Sequence, residues 1–253
     1  MCIRDSANSG LSQFGGDGSS DDCTGGNVNL KPFRATNKDV SVEWYPSRDS
    51  QLSLAFFRKD ISSYIQNDVI LPGVDVFSNG QRWDLKTSIN SEGAVTKGWE
   101  LAGRTALTML PGAFGGLGLD ANYTRMTFSY ATGKELLNPL DNTVLPYPGM
   151  SRNSYNVGVW YDLGQWNARL AYNYRDSYYT GTVDANASLP VYAEAVGYLD
   201  AKLQFRVTEN LTLSVEGKNL TDEAQYLNSG SKERRNELAW SGRRYFVGAT
   251  YKF

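Results

Sequence analysis

Asn153-Ser154-Tyr155-Asn156-Val157-Gly158-Val159-Trp160-Tyr161-Asp162-Leu163-Gly164-Gln165-Trp166-Asn167-Ala168-Arg169-Leu170-Ala171-Tyr172-Asn173-Tyr174-Arg175 alternates between two chemistries on either side of one Gly-Gln pair. Before the pair, Tyr155, Val157, Val159 and Tyr161 share one parity, against Asn156 and Asp162. After it, Trp166, Ala168, Leu170 and Tyr172 stand against Asn167, Arg169, Asn173 and Arg175. Successive side chains of a strand point to opposite faces, so a period of two marks a sheet between two environments. Gly164-Gln165 is then a hairpin turn.

The same period extends in both directions. Nine strands are predicted, at 37–46, 50–66, 81–109, 115–131, 151–163, 166–180, 193–207, 210–224 and 239–253. The third is long and is expected to bend near Gly93. Proline cannot donate to a ladder, and all eight prolines fall in a connection or at a strand end under this assignment. One face carries Val40, Val42, Trp44, Leu52, Leu54, Phe56, Leu119, Leu203, Leu213, Val215 and Val247, and no charge. The other carries Glu43, Arg104, Asp120, Arg169, Asp200, Lys202, Arg206, Glu216 and Lys218, with Phe57 and Trp160 as exceptions.

A soluble sandwich also alternates, but its strands run to about 5–6 residues. Here many run longer than the ~9–11 residues that cross a bilayer at a tilt. Aromatic residues cluster at both ends of the uncharged face: Trp44, Tyr161, Trp166, Phe205 and Phe253 by one set of turns, Tyr64, Tyr130, Tyr155 and Tyr178 toward the other. An apolar belt between two aromatic girdles, over a polar interior, describes an outer-membrane barrel. The fold class expected is therefore all-β, an antiparallel transmembrane β-barrel portion of about nine long meander strands.

Composition agrees by exclusion. Lys and Arg total 25 against 27 Asp and Glu, so no basic face for nucleic acid is indicated. The absence of His removes imidazole metal sites and His-based acid–base catalysis. Two cysteines build neither a disulfide framework nor a Cys-only zinc site. No catalytic residue, metal site or cofactor is identified, and no acidic pair stands out at catalytic separation.

Connections alternate short and long. The short ones lie at Pro46–Asp49, Leu110–Gly115, Gly164–Gln165 and Thr208–Glu209; the long ones at 67–80, 132–149, 181–192 and 225–238. Barrels of this kind have short periplasmic turns and long extracellular loops. Residues 1–6 read as a non-native leader, 7–36 as an extracellular loop segment and 37–253 as barrel. Nine strands cannot close a single-chain bacterial barrel, where counts are even, and an open sheet leaves unpaired backbone in lipid. The chain is thus expected to be the C-terminal portion of a larger barrel, pairing at both edges with strands that it lacks.

Several segments resemble one family. Gly26-Asn27-Val28-Asn29-Leu30-Lys31-Pro32-Phe33 is similar to a G-N-P-x-L-K-P segment before a barrel strand, with Val28 where proline is usual. Leu52–Ile61 resembles the strand that follows. Lys97-Gly98-Trp99-Glu100-Leu101 matches a K-G-x-E-L run, and Gly217-Lys218-Asn219-Leu220-Thr221-Asp222 resembles an N-L-F/T-D segment. The last nine residues, with Tyr245, Val247, Ala249, Tyr251 and Phe253 on one parity, resemble the signal read by the barrel-assembly machinery. In this order the segments resemble the TonB-dependent receptors of the Gram-negative outer membrane. The resemblance implies a barrel of about 22 strands with an N-terminal plug, coupled to the TonB complex, and a scarce small-molecule ligand taken up actively. Within it, the lipid-facing side anchors the chain, and Arg169, Arg175, Lys202 and Arg206 face the lumen and plug. Trp83, Tyr178, Tyr179, Tyr226, Arg234 and Arg235 are the loop candidates for ligand contact. Stacking aromatics suit a sugar and arginines suit an anionic siderophore; the wording of 26–66 favours oligosaccharide uptake. The alternatives are a passive porin-like channel, which lacks a plug, and a barrel enzyme or lectin-like sheet.

Overall fold

The computed structural model describes residues 22–80, 82–130, 135, 137–138, 141–184 and 189–253. The expected leader 1–6, the loop residues 7–21 and Cys2 lie outside the described residues, as does the side chain of Tyr64. In chain order the strands are β1 (Asp22–Thr24), β2 (Arg34–Ser47), β3 (Ser50–Val74), β4 (Trp83–Ala106), β5 (Leu117–Tyr130), β6 (Asn153–Leu163) and β7 (Trp166–Arg175). There follow β8 (Tyr178–Val183), β9 (Pro190–Ala193), β10 (Val196–Arg206), β11 (Leu211–Lys218), β12 (Gln225–Ser229), β13 (Arg235–Ala239) and β14 (Arg244–Tyr251). A short 3-10 turn, Gly112–Gly116, precedes β5. The chain divides into two units, one of residues 1–36, 60–95 and 130–134, the other of 37–59, 96–129 and 135–253.

The second unit contains the path that decides the architecture. Its strands are hydrogen-bonded in the order β14-β11-β10-β7-β6-β5-β4-β3-β2. These are the nine crossings expected from the alternation, each antiparallel to its neighbour where the register is described. Leu163 pairs with Trp166 across the β6–β7 turn, and Gly164 there has φ +62°. A glycine at the first of two central positions is what a type II′ hairpin turn demands. β2 and β14 lie at the two ends of the path, and no pairing between them is seen among the described residues.

The uncharged face of this sheet is bare. Val40 is 68 % exposed, Leu170 44 % and Val247 85 %, and Leu54, Leu119, Val159, Leu203 and Val215 are exposed with them. In a sandwich these side chains would be buried against a second layer. Among the described residues of this unit the buried apolar side chains are Leu145, Tyr179, Leu189, Pro190, Val191, Ala193 and Val196, none at the centre of the nine-strand path. Tyr179, Pro190, Val191 and Ala193 belong to a separate four-stranded sheet of order β13-β12-β9-β8.

That second sheet corrects two expectations. Segments 181–192 and 225–238, read as loops, contain strand; the strands predicted at 166–180, 193–207 and 239–253 are each interrupted, and the one predicted at 210–224 ends at Lys218. Long connections must place their backbone donors and acceptors somewhere, and here they pair with one another. The interruptions have local causes. Asp176 accepts from the Asn153 N–H at 3.1 Å and donates its own N–H to the Asn153 carbonyl at 3.0 Å, closing the β6–β7 ladder. Asn219 ends β11 in the left-handed region, with φ +53°.

In the first unit, β3 extends further than expected, whereas β4 lies within its expected bounds of 81–109. β3 continues to Val74, so Pro72, expected in a loop, lies near a strand end. β4 runs unbroken through Gly93, which has φ +61°, a backbone conformation that glycine adopts freely. The expected loop 7–36 contains strand within its described residues: β1 pairs in parallel with β4, Asp22 opposite Asp84 and Thr24 opposite Lys86. Beyond it the Asn27 amide donates to the Ser88 carbonyl at 3.0 Å, and Asn90 exchanges bonds with the Lys31 backbone at 2.7 and 2.9 Å.

Candidate functional site

The polar face of the nine-strand sheet is built by register. Trp160, Arg169, Lys202 and Glu216 stand side by side on β6, β7, β10 and β11. Arg169 reaches across β6 to Asp120 on β5, Nη2 to Oδ2 at 2.9 Å. It does so over Gly158, where a Cβ would sit 2.6 Å from Oδ2 of that carboxylate. A Cβ at that point would displace the carboxylate, and one at Gly118 would displace a ring. There the Trp160 indole lies where a Cβ would be 2.0 Å from the ring. Arg104 stands 5.4 Å from the centre of the same ring, within cation–π range. Further along, Lys218 Nζ is 3.1 Å from Asp200 and 3.0 Å from Glu216. Lys202 and Arg206 are exposed on this face.

Arg175 is placed differently from the other lumen candidates. Its Nε donates to the Ser151 hydroxyl at 2.6 Å and its Nη2 to the Gly149 carbonyl. Its guanidinium also lies over Tyr178, 3.9 Å from the ring centre. It therefore ties the end of β7 to the segment 149–151 and to β8.

The four-stranded sheet brings together most of the loop candidates. Tyr178 and Tyr179 lie on β8 and Tyr226 on β12, with Arg235 on β13 stacked 3.7 Å from the Tyr226 ring. Tyr179 is 6 % exposed and packs on Tyr192 at 5.7 Å between centroids. Burial pushes the Tyr179 phenol above its ordinary value; burial, then the neighbouring Tyr179, does the same to Tyr192. Beneath them, the Asn228 amide donates to Glu194 at 2.6 Å and the Ser229 hydroxyl to Asp184 at 2.7 Å. Arg234 is exposed in the β12–β13 turn. Trp83 belongs to the first unit, where it is buried against the edge of Phe77. Sequence reasoning missed Tyr192 and the Arg104–Trp160 pair. Tyr192 lay in an expected loop, whereas Trp160 was visible as an aromatic on the polar parity.

β14 holds Tyr245, Val247, Ala249 and Tyr251 exposed on its uncharged side, with Phe253 beyond, stacked edge-on with Tyr251 at 5.3 Å. Among the described residues no group of three or more acidic or cysteine side chains is arranged to hold a metal. Chemically, the polar face offers charge and hydrogen bonds to a protein segment. The outer sheet offers rings backed by guanidinium groups.

Residues 5–220 match the family model described as TonB dependent receptor-like, beta-barrel. No curated protein matches the chain by sequence. Among solved structures, the ferric-catecholate import receptor of E. coli K12 is similar with a TM-score of 0.63 and 18 % identity, over 94 % of this chain and 31 % of that one. A mutant ferric enterobactin receptor from Pseudomonas aeruginosa gives 0.63 and 20 % identity, over 91 % and 33 %. A copper transporter gives 0.59 and 19 %, over 89 % and 32 %. The chain thus spans about a third of the length of the structures that it resembles.

Proposed function

The chain belongs to the TonB-dependent receptor β-barrel family, and from that premise we propose that it is the C-terminal barrel portion of an active-uptake receptor in a Gram-negative outer membrane. The observation that carries the reading is the single-layer sheet: one face uncharged and bare, the other lined with charge, and both edge strands without an outer partner among the described residues. Hydrocarbon covers the first face, a plug domain meets the second, and further strands of the same barrel pair with β2 and β14. Arg169, Lys202 and Arg206 face the plug, while the terminal Tyr245-to-Phe253 pattern addresses the assembly machinery.

The ligand that we favour is an anionic metal chelate, with an oligosaccharide as the second reading. Two of the candidate rings, Tyr178 and Tyr226, carry a guanidinium on one face. This removes a face on which a sugar would stack, and at Arg235 the guanidinium N–H groups suit a carboxylate or catecholate. The discriminating experiment follows uptake by the complete receptor in cells with and without TonB. Accumulation of a ferric siderophore that stops when TonB is deleted supports the reading. Uptake that continues without TonB identifies a passive channel, and binding of oligosaccharide alone replaces the ligand.

A further inference from the structure

The uncharged face of the nine-strand sheet is not uniform. Between β6 and β14 it holds a groove of about 570 Å³. Its floor is Ala201 and Gly217, cross-strand partners on β10 and β11. Leu170 and Tyr245 stand next in that row, and Leu203 and Val215 form the following one. The groove is closed toward the long-connection side by the segment Asn219–Asp222. Asn219 is buried and bonds the Glu223 backbone twice, at 2.8 Å each, while its own N–H donates to Asp200. The Leu220 N–H donates to the Leu199 carbonyl at 2.7 Å. That pinned turn folds the Leu220 side chain over Gly217, 2.7 Å from where a Cβ would be. It also presents the Leu220 carbonyl to Arg243, whose Nε donates to it at 3.1 Å. Arg243 is exposed.

We propose that this groove seats an acyl chain of a phosphate-bearing lipid of the outer leaflet, with Arg243 reading the phosphate at its rim. The floor is small where the flanking rows are large, so a chain lies deeper there than elsewhere on the bare face. The cation stands at the end nearer the long connections, where lipid headgroups of the outer leaflet lie. Held by one bond to a rigid carbonyl, the guanidinium keeps its terminal nitrogens for an anion. The motif-like turn at Asn219 thereby gains a role, as the wall and anchor of a lipid seat. The inference rests on the outer-membrane reading but not on which nutrient passes.

The complete receptor is reconstituted in phosphatidylcholine vesicles containing a small share of lipid A with a photoactivatable acyl chain, and the labelled residues are mapped by mass spectrometry. Labelling is expected to concentrate on Ala201, Leu203 and Val215. Ala201→Leu, which fills the floor on a lipid-facing position, abolishes the concentration. Arg243→Gln lowers it by about fivefold, the weight of one basic side chain at a charged membrane surface. An uncharged diacylglycerol probe, by contrast, is unaffected by Arg243→Gln. Labelling spread evenly over the bare face, including Val40 to Trp44 on β2, or unchanged in Ala201→Leu, overturns the groove while leaving the membrane reading standing. Labelling absent from the whole face overturns both.

Discussion

Val157 and Asn173 lie at nearly the same depth on adjacent strands but on opposite faces, and together they test where the hydrocarbon is. Val157 is the fifth of eleven residues of β6, 45 % exposed on the uncharged side. Asn173, exposed on the polar side of β7, lies opposite Asn156, one residue from Val157. An arginine at the midplane of a barrel's lipid face costs about 2–4 kcal/mol. That is a shift of roughly 30- to 1,000-fold in the folding equilibrium. An arginine in an aqueous lumen costs nearly nothing. The complete receptor is refolded from urea into phosphatidylcholine vesicles, and the folded fraction is read from the difference in gel mobility between unheated and heated samples. Val157→Arg is expected to fold at a urea midpoint well below that of the parent, and Asn173→Arg at the parental midpoint. Equal midpoints for the two variants would refute the assignment of the bare face to lipid. A larger loss in Asn173→Arg would invert it.

Four further outcomes follow from the described geometry. Gly118→Ala places a Cβ 2.0 Å from the Trp160 ring; the indole must leave its seat, at a cost of about 1–3 kcal/mol, seen as a shift in tryptophan emission. Arg169→Ala is expected to change stability by less than about 1 kcal/mol, because the pair with Asp120 is solvated, with half of the arginine side chain exposed; a larger change in the urea midpoint would show an unseen partner. Burial raises Tyr179 and Tyr192 above the ordinary 10.0 of a tyrosine. Their contribution to the outer sheet is therefore complete below pH 10 and is lost as pH rises through the folded values. In ultraviolet titration, part of the late-ionising phenol absorbance is expected to move earlier in Ala193→Gln, which opens that core without adding a charge. Arg235→Ala removes the cation over Tyr226 and is expected to weaken chelate binding about tenfold, the weight of one charge-assisted contact, with Arg235→Lys recovering part of it. Equal affinity in all three forms would exclude the pair from the site.

How far the sequence was legible depended on which forces act locally. The nine strands of the long path were readable because each separates two chemically different faces, which imposes period two, and Gly164 marks its own turn. The outer sheet was not. Tyr178–Val183 and Pro190–Ala193 are short, and they are strands because β9 finds β12 across about thirty-five residues of chain, a pairing that alternation does not report. The same holds for Arg175. Its parity matches Arg169, yet at the end of its strand a serine hydroxyl, a carbonyl and a tyrosine ring are nearer than the lumen. The segment Gly26–Phe33 could be matched to a family but not understood, because its partner Asn90 is fifty-nine residues away from Lys31.

The 25 residues of β3 have a consequence of their own. At about 3.3 Å per residue the strand is about 80 Å long, against roughly 30 Å of hydrocarbon. On the proposed membrane reading, part of a strand of that length lies beyond the hydrocarbon, within reach of an antibody, a phage or a protease. Intact cells treated briefly with a protease are then expected to be nicked between residues 75 and 80, which follow the end of β3.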